Sequence, residues 1–215
     1  MTATQMLQRP TPRQLDATVQ AILVADDLGH LAAVHAAARA SVLAHDAEPQ
    51  APGWETWADG AFVKSVRRIR RSGLDGLASA CGVLDLDGLV AAAYAPMPYS
   101  RLPQAVAHAR VAGTDFPRDG ARVGTSDAPV AIDVLETMTT GKAAAQAAHA
   151  LWVWTVRRTS VQRTDWVRAG LPVVIRLQSA AALESGSTRA GSAVIRDAGF
   201  TELEPGTLTA VAVDA

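Results

Sequence analysis

The sequence predicts an α/β protein of layered helices and sheet, and three observations carry the prediction. Short apolar runs of strand length alternate with alanine-rich runs of helix length, the alternation occurs twice in one order, and hydrophobic residues make up 49% of the chain against 19% charged. A chain of 215 residues with a mean hydropathy of +0.11 builds one large globular domain or two small ones.

The elements follow in order. AILVAD, from Ala21, reads as a strand, DLGHLAAVHAAARASVLAHD, from Asp27, as a helix, WETWADG, from Trp54, as a tryptophan-containing loop, and AFVKSV, from Ala61, as a second strand. Prolines 96, 98, 103, 117 and 129 mark a linker over 96–128, in which LPQAVAHARVAG reads as one short helix. The order then returns. A strand over 130–136 precedes a helix over 141–157, the segment RTDWVRAG, a strand over 172–178, a short helical or irregular connection, and closing strands over 192–196 and 207–213. Glycine and proline in EPGT mark the turn into the last strand, TLTAVAV, which is apolar enough to be buried.

Laid on one another, the halves put Gly29 opposite Gly141, Ala32 and Ala33 opposite Ala144 and Ala145, and Trp57 near Trp166, which points to a degenerate internal repeat. Alanine-rich helices resemble one another in any case; agreement across four elements is what favours duplication. In this alignment His30 stands where Lys142 does and Val34 where Gln146 does, so the first copy lacks the polar residues of the second.

Those polar residues are the chemistry-bearing part of the chain. Only two lysines occur against eighteen arginines, and Lys142 opens the run TGKAAAQAAHALWVW. A lysine at a helix start opposes the positive end of the macrodipole. Thr139 or Thr140 can cap this helix, Gly141 lets the backbone approach a ligand closely, and free N–H groups beside an ammonium make an anion site. At about 100° per residue Lys142, Gln146 and His149 share one stripe, which turns apolar at Val153. The bland reading is a buried alanine helix with one exposed edge.

The second half carries a resemblance. GKAAAQAAHA, followed roughly fifty residues later by IRDAGFTELEPGT, is similar to type-2 peptidyl-tRNA hydrolase, whose pattern is a strand, a GK-x-AAQ-x-x-HA helix start, a second strand, and a closing I-x-DAG-x-T-x-x-x-PGT segment. It covers about residues 127 to 215. The resemblance implies a four-stranded mixed sheet flanked by helices, a homodimer, and cleavage of the ester that joins peptide to tRNA in peptidyl-tRNA released from stalled ribosomes. It places Lys142, Gln146, Asp197 and Thr201 as catalytic residues around one cleft, with His149 beneath it. Lys142 and the N–H groups at Thr140 and Gly141 would meet charge developing on the carbonyl oxygen. Asp197 would orient or deprotonate water, Thr201 position that water or the ribose hydroxyl, and Gln146 hold the peptide amide or the carbonyl. His149 reads as a base or, two turns down the helix, as a core hydrogen-bonding residue. Three departures from the pattern bear on substrate: Thr140 stands for a further lysine, Phe200 for an arginine and Glu202 for a glutamine.

With the repeat, the expected architecture is an α/β/α layered, mixed four-stranded sheet duplicated in tandem. Residues 1–95 are the degenerate copy, 96–128 the linker and 129–215 the hydrolase-like domain, which together make a pseudo-dimer within one chain, as a monomer or as a further homodimer.

Composition limits the partners. A net charge of -1 and a pI of about 6.5 exclude a broadly basic nucleic-acid-binding domain, so any RNA contact is local. Two basic runs offer it, VKSVRRIRRS with Lys64 and Arg67, and TVRRTSVQR with Arg157 and Arg158, although such runs are ordinarily solvated faces. A lone cysteine, Cys81, excludes an intrachain disulfide and fits a reducing cytosol. The N-terminal segment lacks a signal-peptide pattern and no apolar run approaches a membrane span, so a cytoplasmic protein with no membrane partner is expected. His30 with His35, and His45 with Asp46, lack metal-ligand spacing, and GxSxG, GK[ST] and GxGxxG motifs are missing. No metal and no cofactor is therefore expected. The five tryptophans read as packing residues. A noncatalytic relative that binds RNA or protein is the alternative class, favoured by Thr140, Phe200, Glu202 and the acidic balance.

Overall fold

The computed structural model describes residues 13, 15–60, 62–74, 77, 80–86, 89–111, 113–199 and 202–215. The first half runs through β1 (Thr18–Ala25), α1 (His30–Ala47), α2 (Gly53–Asp59), β2 (Val63–Ile69), β3 (Gly82–Leu86) and β4 (Leu89–Ala93). β5 (Met97–Pro98), α3 (Gln104–His108) and β6 (Arg122–Gly124) follow. The second half is β7 (Val130–Leu135), α4 (Thr140–Val156), α5 (Ser160–Arg168), β8 (Val174–Gln178), α6 (Ala180–Ser187), β9 (Ala193–Arg196) and β10 (Leu208–Asp214). The strands and long helices expected from sequence fall within about three residues of these bounds. WETWADG is a correction: it is helical, as α2, too short at seven residues to show a helical period. α5 starts with a capping box in which Thr159 and Gln162 satisfy each other's backbone.

Two mixed sheets form, one ordered β2-β1-β4-β3 with β5 added on β1, the other β6-β8-β7-β10-β9. In each, the first strand pairs parallel with the second, β1 with β2 and β7 with β8. It pairs antiparallel with the last, which in turn pairs antiparallel with the third. The expected four-stranded sheet is corrected to five strands in each case, because 96–128 is no passive tether. Met97–Pro98 pairs with β1 and Arg122–Gly124 with β8, satisfying edge groups that four strands leave open.

α1 and α4 pack on each other, α1 also touches β6 and β8, and α4 touches β2, so each helix serves both sheets. Alanine permits this close approach: Ala33, Ala36, Ala37 and Ala40 in α1 and Ala143, Ala144, Ala147 and Ala148 in α4 are all fully buried. Each half also repeats a local device. Trp57 Nε1 donates to Val63 O at 2.6 Å and Trp166 Nε1 to Pro172 O at 2.9 Å, and the residue before each acceptor is left-handed, Phe62 at φ 51° and Leu171 at φ 52°. The equal spacing from β1 to α1 and from β7 to α4 makes the N-cap residues Gly29 and Thr139 equivalent. Counted from the helix starts, Ala32 and Ala36, rather than His30 and Val34, stand at the same distance as Lys142 and Gln146, two residues from the sequence comparison.

Candidate active site

The two long helices start side by side, and the stretch between the sheets caps both. Neither N-cap residue caps with its own side chain. Leu31 N and Ala32 N donate to the Asp119 carboxylate at 2.7 and 3.2 Å, and His30 N to Pro117 O at 2.8 Å. Thr139 N donates to Glu202 Oε1 at 3.0 Å, Thr140 N to Asp115 Oδ1 at 3.3 Å, and Gly141 N to Thr114 O at 2.8 Å. Three of the four donors that each helix start leaves without partners are met by oxygens of the chain itself. This corrects the expected anion site: the N–H groups of Thr140 and Gly141 are taken. The close approach that Gly141 permits is made by Thr114, whose Cβ lies 3.2 Å from where a Gly141 Cβ would stand.

Thr140 is fully buried and joins the halves. Arg118 Nη1 lies 2.8 Å from His30 Nε2, and because a guanidinium only donates, Nε2 accepts and the ring proton sits on Nδ1. Nδ1–H then donates to Thr140 Oγ1 at 2.9 Å, Phe116 N donates to the same oxygen at 2.8 Å, and its own hydrogen points to Asp115 Oδ1 at 3.4 Å. Burial and then the Arg118 charge lower the His30 pKa, in keeping with a neutral ring. Residue 140 is a structural joint, which corrects its expected contact with substrate.

Lys142, Gln146 and Asp197 come together. α4 presents the first two one turn apart on one face. β9 delivers Asp197 into a turn in which Asp197 N donates to Thr207 O at 2.8 Å and Gly206 N to Asp197 O at 2.7 Å. Lys142 Nζ forms an ion pair with Asp197 Oδ1, Gln146 Nε2 donates to the same oxygen at 3.2 Å, and Gly199 N to Oδ2 at 3.0 Å. Gln146 Oε1 accepts from Thr209 Oγ1 at 3.0 Å, so both ends of its amide are engaged within the protein. Gln146 thus braces Asp197 against Thr209, where the resemblance implied that it holds the peptide amide or the carbonyl. A carboxylate offers about four lone-pair directions; these three donors leave capacity for one more, such as water. Thr201 and Phe200 lie outside the described residues.

The cluster opens on a cleft of about 620 Å³, the size of a small-molecule site. Lys142, Gln146, His149 and Asp197 form one wall, Phe62, Val63, Lys64 and Val66 of the first half form another, and Val111, Gly113, Thr114 and Asp115 run along it. The His149 ring packs 4.2 Å from Phe62 and stacks on Trp57 at 5.9 Å, while its Nδ1 has no hydrogen-bond partner among the described residues. Burial first, then the charges of Lys64 and Lys142, put its pKa well below the ordinary value. It is a neutral packing ring, and the expected core hydrogen bond is missing at that nitrogen.

The basic runs are corrected as well. Lys64 is buried, its Nζ 3.9 Å over the Trp57 ring and donating to Gln20 Oε1 at 2.5 Å, and burial lowers its pKa well below the usual lysine value. Arg67 is 2% exposed and donates to Val106 O at 2.9 Å and to Tyr99 Oη at 2.7 Å. Neither presents a surface cation. Arg157 and Arg158 sit at the far end of α4, about 22 Å along the helix from Lys142. Arg157 donates to Ser192 O at 3.0 Å, and Arg158 pairs with Asp214 and lies 4.3 Å over the Trp154 ring. Among the described residues the exposed arginines of the cleft are Arg13 and Arg196, which sequence reasoning missed along with Thr209, Thr114 and Asp115. A signal for the last two was present in TDFPRDG, whose two aspartates flank a proline, a composition suited to capping. Among the described residues no group of three or more His, Cys, Asp or Glu is placed to hold a metal ion, and no helix is long and apolar enough to cross a membrane.

A mixed sheet whose helix start and closing turn bring a lysine and an aspartate to one cleft defines an α/β protein with a candidate hydrolytic site. The family model described as peptidyl-tRNA hydrolase PTH2 matches residues 130–215. Peptidyl-tRNA hydrolase of Methanocaldococcus jannaschii is 39% identical over 82 residues, covering 34% of this chain and 71% of that protein. Through its second half, the chain belongs to the peptidyl-tRNA hydrolase PTH2 family.

Proposed function

We propose that the cleft hydrolyses peptidyl-tRNA in the cytoplasm. Water adds to the peptide's carboxyl carbon, the ester bond to the terminal ribose breaks, one proton of the water ends on the ribose oxygen, the other passes to solvent, and the peptide leaves as its carboxylate. The observation that carries this reading is the meeting of Lys142 and Asp197, 55 residues apart in the chain, at the cleft of the half that matches the family. The Lys142 ammonium meets the charge that develops on the carbonyl oxygen. Asp197 orients the attacking water, and Gln146 with Thr209 keeps Asp197 in place. Thr201, four residues beyond Asp197 in sequence, is proposed to contact that water or the ribose hydroxyl. Arg13 and Arg196 are proposed as phosphate contacts, in place of the buried Lys64 and Arg67.

Release of labelled amino acid from an N-acetylated aminoacyl-tRNA tests the reading. Lys142→Ala and Asp197→Asn are each expected to lower kcat by about a hundredfold or more. Wild-type protein that leaves the ester intact would overturn it. A noncatalytic RNA-binding role has one observation in its favour, the capping of the α4 N–H groups by Glu202, Asp115 and Thr114. Retained tRNA binding without hydrolysis would select that role.

We also infer a duplicated origin, residues 1–95 and 129–215 being two copies joined by 96–128 into a pseudo-dimer. The common strand order, the adjacent helix starts and the paired tryptophan devices support it. A monomer of 22.4 kDa is expected in solution.

A further inference from the structure

We infer that the peptide part of the substrate binds as an added strand along the open edge of β2, a strand supplied by the half that lacks the catalytic residues. The identity of this occupant rests on the peptidyl-tRNA reading of the cleft.

β2 is the edge of its sheet. Along a strand, the N–H and C=O of one residue face the same side, and successive residues alternate. Two hydrogen bonds fix which residues face outward. Ile69 O accepts from Asp26 N at 2.9 Å, just past the end of β1, so residues 63, 65, 67 and 69 turn their backbone groups toward β1. Arg68 N donates to Arg110 O at 2.9 Å, so residues 64, 66 and 68 face away from the sheet. Lys64 and Val66 therefore each present an N–H and a C=O at the edge, both residues line the cleft, and no described residue pairs with those groups.

The isolated antiparallel bridge between Arg68 and Arg110 demonstrates what this edge accepts, an extended chain. The chain then leaves the edge. Thr114 Oγ1 donates to Val111 O at 2.8 Å and Gly141 N holds Thr114 O at 2.8 Å, which draws Thr114 toward α4. The gap so opened is the cleft that reaches Lys142 and Asp197.

An edge without a partner among the described residues, beside a reactive cluster, suits a peptide. An enzyme that must accept many peptide sequences recognises what they share, the main chain, and an edge strand binds only that. Phe62 and Val63, partly buried, and Val111, 50% exposed, flank the edge with apolar surface for alternate side chains. A nucleobase would require an open flat ring to stack on. Phe62 is already packed against Trp57 and His149, each 4.2 Å away.

The test uses the full chain and 3′-peptidylamino-adenosines, in which an amide replaces the scissile ester, so binding is read independently of hydrolysis. A compound with three amino acids is expected to bind at least about fivefold tighter than one with a single acetylated amino acid, the effect of one net hydrogen bond. N-methylation of one peptide amide should remove that gain while methylation of its neighbour should not, since alternate amides face the edge. Val66→Pro deletes an outward N–H that an edge strand can do without. It should weaken binding of the longer compound and abolish the difference between methylation sites. If this variant does not fold, the methylated compounds on wild-type protein decide alone. Equal affinity for short and long compounds, or equal effects of methylation at every amide, would overturn the proposal. Binding with the expected alternation, but no cleavage of ester substrates, would support the edge site and overturn the catalytic reading instead.

Discussion

Replacing His35 with phenylalanine should flatten the acid limb of the stability curve. His35 is buried on α1, is hydrogen-bonded to the backbone of Val173 in the second half, and has Arg39 beside it. Its Nδ1 has no partner among the described residues. Burial, and then the Arg39 charge, lower its pKa from 6.5 to about 4 against a smaller opposing effect of the Val173 bond. The folded protein thus holds a neutral ring where the unfolded chain takes up a proton near pH 6.5. Because the folded pKa is the lower one, the unfolded state binds more protons below pH 6.5. The stabilisation is complete above that pH and is lost as the pH falls toward 4, where the folded form protonates too. Between pH 7 and pH 5 this single group accounts for about 2 kcal/mol, rising to about 3 kcal/mol below pH 4. His30, His45 and His149 shift in the same direction, so the whole protein loses more than this, and the variant removes only the His35 share. Urea unfolding of both proteins at pH 7 and pH 5, followed by tryptophan fluorescence, measures the difference, and any constant cost of losing the Val173 bond cancels. Wild type should lose about 2 kcal/mol more than His35→Phe between the two pH values. Parallel losses, equal within about 0.5 kcal/mol, would refute the buried neutral ring.

Two further substitutions probe how this chain departs from expectation. Thr140→Lys restores the lysine that the family resemblance implies, but it forces an ammonium into a fully buried site between His30 and Asp115. It should destabilise the protein by about 3 kcal/mol or more without raising kcat/KM, and thermal unfolding with a parallel hydrolysis assay checks both. A stable and faster variant would contradict the joint described for Thr140. Arg67→Met removes the Arg67 donors from Val106 O, which keeps its bond from Ala109 N, and from Tyr99 Oη, and should cost about 2 kcal/mol, while the dependence of tRNA affinity on salt stays unchanged. A shallower salt dependence with undiminished stability would mean that Arg67 reaches phosphate.

Much of the fold was legible because its signals are local. Strands appear as apolar runs and the long helices as alanine runs, each readable within a window of a dozen residues. Lys142 and Gln146 share a stripe by helical geometry alone, whereas their meeting with Asp197 was accessible only through the family resemblance, since nothing local links residues 55 apart. Less legible were elements too short for a period. α2 read as a loop, and β5 and β6 passed for linker.

By itself, then, the sequence determined the order of strands and helices, the lysine at the start of α4 and the aspartate before the closing turn, since each depends on neighbours a few residues away. Tertiary structure alone decided which oxygens cap the helix starts, that Lys64 and Arg67 are buried cations, and that an edge strand of the first half faces the cleft of the second. Those outcomes depend on how segments distant in the chain approach one another. A donor or a charge is visible in the sequence, but its partner and its distance from water are set only when the sheets pack across α1 and α4.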